Sequence, residues 1–169
     1  MVLSYGEHVM KKLSLAFLVV LVSALALASA STTAFAARAT KEPFSATLEV
    51  TEILGAERWW TDEEGTTHVR GWVFRGLISG DIVGQVEFVE NVNMNASYVD
   101  VLVKGAITVG GKEAYRMSAD LTLEGGVISS SNFVCNGMGS FKGIHITGTI
   151  AIIDSTHSLW TGTKLTTKP

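Results

Sequence analysis

The sequence predicts an all-β fold, an antiparallel up-and-down barrel of about eight strands, and three observations carry that expectation. Val, Ile and Thr are frequent, while 17 Gly and only 2 Pro punctuate the chain, a composition suited to short strands joined by tight turns. Apolar and polar residues alternate over most of the length, and helical periodicity is almost absent beyond the N-terminus. Glycine-rich dipeptides fall between successive apolar runs, so neighbouring strands are joined by short links and run antiparallel. A β-sandwich is the alternative way to arrange the same strands.

The runs lie near Ser45 to Leu54, Thr67 to Ser79, Ile82 to Val92, Tyr98 to Thr108, Lys112 to Glu124, Val127 to Val134, Gly143 to Ile153 and Leu159 to Thr166. Ser79-Gly80-Asp81, Gly110-Gly111 and Gly125-Gly126 read as hairpin turns, where glycine supplies positive φ. Period-two alternation assigns Leu48, Val50, Trp72, Phe74, Ile78, Val86, Phe88, Val99, Val101 and Val103 to the inner face. Tyr115, Met117, Ala119, Leu121 and Leu123 follow the same rule, as do Ile144, Ile146, Ile150 and Ile152. Thr47, Glu49, Arg75, Glu87, Asp100, Lys104, Arg116 and Asp120 fall on the solvent face. A sheet this wide with one apolar face closes on itself or pairs with another, because open edges promote aggregation.

Lys11 and Lys12 precede an apolar run from Leu13 to Ala28, followed by Ala28-Ser29-Ala30 and Ala34-Phe35-Ala36. Positive, apolar and small-residue regions in that order are the pattern of a secretory signal peptide. Cleavage is expected after Ala36, leaving no stable membrane span, with an uncleaved anchor as the alternative. The expected organisation is therefore a signal peptide over 1–36, a linker over 37–44 and a barrel domain over 45–169. The codons of Gly6-Glu7 can supply a ribosome-binding element ahead of Met10, which makes Met10 the expected start and the source prokaryotic. The expected location is secreted, or the periplasmic or exterior side of a cell envelope.

The formal charge of -3 and scattered basic residues give no nucleic-acid surface. A single cysteine, Cys135, excludes an internal disulfide framework and is expected as a buried structural thiol. His68, His145 and His157 lack paired metal-ligand spacing, so neither metal nor cofactor is expected. No nucleophile elbow or phosphate loop is present. The acidic loop Asp62-Glu63-Glu64-Gly65 lacks calcium-site spacing and reads as a hairpin tip. Asn95-Ala96-Ser97 is a glycosylation sequon in an expected surface turn.

Two stretches carry a family resemblance: Phe74-Arg75-Gly76-Leu77-Ile78-Ser79-Gly80-Asp81-Ile82-Val83-Gly84, and Gly137-Met138-Gly139-Ser140-Phe141-Lys142-Gly143-Ile144-His145-Ile146-Thr147-Gly148. The first resembles the strand, Gly-Asp turn, strand signature of the allene oxide cyclase and dirigent-like barrels, and more closely that of their small bacterial members. The second is similar to the glycine-rich approach to a late strand in those proteins. The resemblance implies an eight-stranded antiparallel barrel with a central cavity; it transfers no reaction and no functional residue, because fold alone does not give function.

Topology and side-chain phase together place a candidate site. Odd strands end at the rim where even strands begin, which gathers the loops 55–66, 93–97, 125–126 and 154–158. Glu52, Arg70 and Glu90 keep the inward phase near that rim and are expected to form an ion-paired cluster. Trp72 lies one inward step deeper, Trp59 and Trp60 stand on the adjoining loop, and Trp160 begins the last strand. One reading is a cavity mouth for a small apolar or aromatic molecule; the other is a solvated ion pair above packed tryptophans. The same carboxylates, with Arg70 facing an oxyanion, would suit a cofactor-independent isomerase or cyclase. A third reading is an envelope structural or interaction module, and homo-oligomers are compatible with all three.

Overall fold

The computed structural model describes residues 39–167. The expected signal peptide, Met10 start and Ala36 cleavage site all lie outside the described residues. Within them the chain forms β1 (Thr40–Gly55), β2 (Arg58–Thr61), β3 (Thr67–Gly80), β4 (Gly84–Met94) and β5 (Tyr98–Val109). There follow β6 (Lys112–Glu124), β7 (Val127–Gly137), a 3₁₀ turn at Gly139–Phe141, β8 (Ile144–Ile152) and β9 (His157–Thr166). Every pairing is antiparallel, and β1 pairs with both β9 and β3, so eight strands close into a barrel. The ninth, β2, adds to the β3 edge beyond the end of β1. The architecture is thus the expected barrel rather than a sandwich. No helix among the described residues is long and apolar enough to cross a membrane.

Two stretches differ from the expected strand map. The segment read as a linker over 37–44 is strand from Thr40 onward, paired with β9 from Thr40↔Thr166. Its first residues have β9 on one side only, an edge setting that accepts Pro43 despite its missing N–H. The stretch 55–66 holds β2, whose hairpin to β3 is closed by Asp62: its carboxylate accepts hydrogen bonds from the Glu64 and Thr66 amides. That side chain–backbone turn is the structural role of the acidic loop.

Alternation is translated into burial along the barrel. Phe44, Leu48, Phe74, Ile78, Val86, Phe88, Ile107, Met117, Phe133, Ile146 and Trp160 form one buried cluster. Cys135 belongs to it and is completely buried. The outer face carries the Arg75 guanidinium between Glu87 (2.8 Å) and Glu52 (3.3 Å), an exposed arrangement of small energetic weight.

Two irregularities decide which way side chains point near the rim. On β1, Val50 pairs with Gly76 and Glu52 with Arg75, so Thr51 is an extra residue. On β3, Val69 pairs with Val92 and Trp72 with Glu90, so Arg70 and Gly71 together oppose Asn91. Each bulge reverses the inside–outside phase beyond it. Gly71 sits at φ 67°, and a Cβ there would meet the Glu57 side chain at 2.6 Å. Gly71→Ala is therefore expected to lower stability by about 1–2 kcal/mol, from left-handed backbone strain and displacement of Glu57. An unchanged urea midpoint would contradict this account of the bulge.

Candidate functional site

The barrel opens at the rim formed by the ends of β1, β4, β6 and β8, and below it lies a cavity of about 320 Å³. Its walls are mainly apolar: Leu48, Val50, Trp72, Phe74, Phe88, Val103, Met117, Ala119, Leu121, Ile150 and Trp160. Ile53, Ile152 and the segment 154–158 border the opening. The even positions of β4 supply Phe88 and then Glu90 to the interior, which puts a carboxyl between Trp72 of β3 and Val103 of β5.

Glu90 is the chemically distinctive member of this wall. Burial alone pushes its carboxyl from the usual 4.5 up to about 7, and among the described residues no hydrogen bond offsets that effect. Phe74 stacks on Phe88 at 5.2 Å and lies 5.0 Å from Trp72, so a continuous aromatic surface runs beneath the carboxyl. Trp160 is buried, and its indole N–H donates to Ser158 Oγ at 2.9 Å.

At the opening, Asp154 folds the β8–β9 loop. Its Oδ1 accepts from the Thr156 and His157 amides, each at 2.8 Å, and from Thr156 Oγ1 at 3.0 Å. These bonds, led by the Thr156 amide and joined by the His157 ring, hold the carboxyl far below its ordinary range. Asp154 is thereby a fixed negative charge beside the mouth.

The structure divides the seven residues singled out from the sequence into two groups. Glu90, Trp72 and Trp160 line the cavity, and Trp59 stands exposed above it, edge-on to Trp72 at 6.2 Å. Glu52, Arg70 and Trp60 face outward, so no Glu52–Arg70–Glu90 ion cluster forms. The β1 bulge turns Glu52 toward Arg75, and the β3 bulge turns Arg70 to the outer surface. There Arg70 donates to the Val69 and Val92 carbonyls and to Asn93 Oδ1. Trp60 stacks on His68 at 4.8 Å and lies under the Arg58 guanidinium at 4.4 Å. His68 also bonds Asp62 and Asn93, and the Asp62 bond is the main cause of its raised pKa. This outer cluster braces the β2–β3 hairpin.

The remaining candidates have structural roles. Asn95 accepts from the Ser97 and Tyr98 amides, making the sequon a turn. The half-buried His145 bonds Asn136 Oδ1 at 2.7 Å. Burial pushes the Cys135 thiol up to about 12, which suppresses the thiolate needed for reactivity. A thiol reagent is expected to label native protein only as it opens and denatured protein at once; equal rates would place Cys135 outside the core. Among the described residues no group of three or more His, Cys, Asp or Glu side chains is placed to hold a metal ion.

Fold and site together define a closed eight-stranded barrel with an apolar lumen and one interior carboxyl. Comparison with family models, curated proteins and solved structures found no match.

Proposed function

We propose that the chain is an exported binding protein, allene-oxide-cyclase-like in its barrel, whose lumen holds one small apolar or aromatic molecule. The observation that carries this reading is the cavity itself. The lower barrel is filled by Phe133, Ile107 and Ile146, whereas about 320 Å³ beside Trp72, Phe88 and Glu90 is not. That volume lies at the small end of ligand pockets, ~300–1,000 Å³, which combine apolar walls with a few oriented polar groups. Export rests on the N-terminal sequence pattern.

Native mass spectrometry of protein purified from its own host is expected to show one retained small molecule. Ala119→Trp, which fills the lumen, is expected to lose it. Absence of a retained mass, combined with failure of a naphthyl probe to quench tryptophan fluorescence, would overturn the binding reading.

One observation favours a second reading, a cofactor-independent isomerase or cyclase. A carboxyl raised to about 7 is suited to proton transfer near neutral pH. The outward position of Arg70 removes the oxyanion partner that this chemistry was expected to use. Turnover of the retained molecule, abolished by Glu90→Gln while binding persists, is the result that would select this reading.

A further inference from the structure

We propose that the lumen is selective for an organic monocation, an amine carried on a compact aromatic or aliphatic body, with Glu90 as its counter-ion. This rests on the lumen-binding reading above and adds the chemical class of the ligand.

The argument begins with what surrounds Glu90. The cavity residues from β1, β3, β5, β6 and β8 are all apolar. Asp154 in the β8–β9 loop and His157 at the start of β9 are the other titratable side chains in the lining. His157 Nδ1 is itself 3.0 Å from Asp154 Oδ1. The lining therefore holds two carboxyls and neither lysine nor arginine among the described residues, so it presents nothing to neutralise an anionic head group.

An interior carboxylate without a partner is unfavourable in apolar surroundings, and an entering ammonium supplies the missing charge and hydrogen bonds. The rings of Trp72, Phe74 and Phe88 lie on the same side of the lumen. Their faces attract a cation electrostatically while accepting an apolar body. A neutral alcohol gains a hydrogen bond at most, and a carboxylate meets repulsion from Asp154 and from ionised Glu90. The ordering expected from these contacts is amine, then alcohol, then carboxylate.

The test uses the full chain and three probes sharing one ring system: naphthylmethylamine, naphthylmethanol and naphthoate. Calorimetry at about pH 8, where Glu90 is ionised, is expected to give the amine at least about a tenfold tighter Kd than the alcohol. Naphthoate is expected to bind most weakly. Glu90→Gln is expected to bring amine and alcohol to similar affinity. Should that variant fail to fold, His157→Gln protein at about pH 5 provides the same comparison, because Glu90 is then protonated, Asp154 stays charged and no imidazole in the lining gains a proton.

Equal affinity of amine and alcohol at about pH 8, or an amine preference that survives both Glu90→Gln and acid pH, would overturn the counter-ion role. In those outcomes the lumen-binding reading stands, provided the alcohol is displaced by Ala119→Trp. If none of the three probes binds, the binding reading itself falls.

Discussion

Replacing Phe133 with alanine is expected to destabilise the protein by about 3–5 kcal/mol, the range for deleting a fully buried aromatic ring. Phe133 is 1% exposed, tilted against Trp160 at 4.8 Å and against Phe44 at 5.9 Å. Its ring also lies over the seam where Gly148 of β8 faces Gly162 of β9. A Cβ on Gly148 would meet Phe133 at 2.8 Å, so the ring and the glycine pair occupy one another's space closely. Phe133 lies in the closed barrel, paired with Ala119 of β6 and Gly148 of β8, and this limits collapse of the walls into the void. Chemical denaturation should show a lower midpoint with an unchanged slope. A loss below about 1 kcal/mol would show that this layer repacks freely. Phe133 does not line the cavity, so a folded variant is expected to retain lumen binding.

The second large effect is a gain. Glu90→Gln is expected to stabilise the protein by up to about 3 kcal/mol at pH 8, with almost no change at pH 4. The sign follows from linkage. The folded carboxyl titrates at about 7 and the unfolded one near 4.5, so between these values the folded state binds more protons. Stability is undiminished below the unfolded pKa, declines as pH rises through that window, and reaches its lowest contribution above about 7. A displacement of this size corresponds to on the order of 3 kcal/mol at ~1.4 kcal/mol per pH unit. Denaturation series at several pH values should show that slope in the wild-type protein and its disappearance in the variant. A wild-type midpoint that is flat between pH 4 and 8 would mean that Glu90 is well solvated. The same carboxyl thus weakens the empty protein under the conditions where it would hold a cation, a pattern common to sites built for function rather than stability.

Alternation made the barrel legible, because in a sheet with one apolar face the period of two records the pleat directly. It placed Trp72, Phe74, Phe88 and Glu90 inside, where the structure has them. The same counting failed for Glu52 and Arg70, since one added residue inverts every later side chain. At β3 a signal was present, since a glycine inside a strand often marks a bulge, but Gly76 in the same strand pairs in register, so Gly71 was not singled out by residue type alone. At β1 the extra residue is Thr51, an ordinary strand former, and nothing local announces it. Arg58-Trp59-Trp60-Thr61 escaped notice because four residues are too few to establish a period. The mouth contributed by Ile53, Asp154 and His157 depends on how the loop folds over the opening, which no strand pattern encodes.

The closing seam has a consequence for the order in which the protein can be made. Thr40 pairs with Thr166 and Glu49 with His157, so the first strand finds one of its two neighbours in the final ten-residue strand. Hairpins such as β5–β6 can form early from local contacts, but the ring remains open until β9 is available. A nascent chain therefore carries two unsatisfied edges, β1 and β8, until β9 arrives to lie between them. Folding should behave as a late, chain-length-dependent event: a chain ending before His157 is expected to associate through those edges, whereas one reaching Thr166 can close on itself.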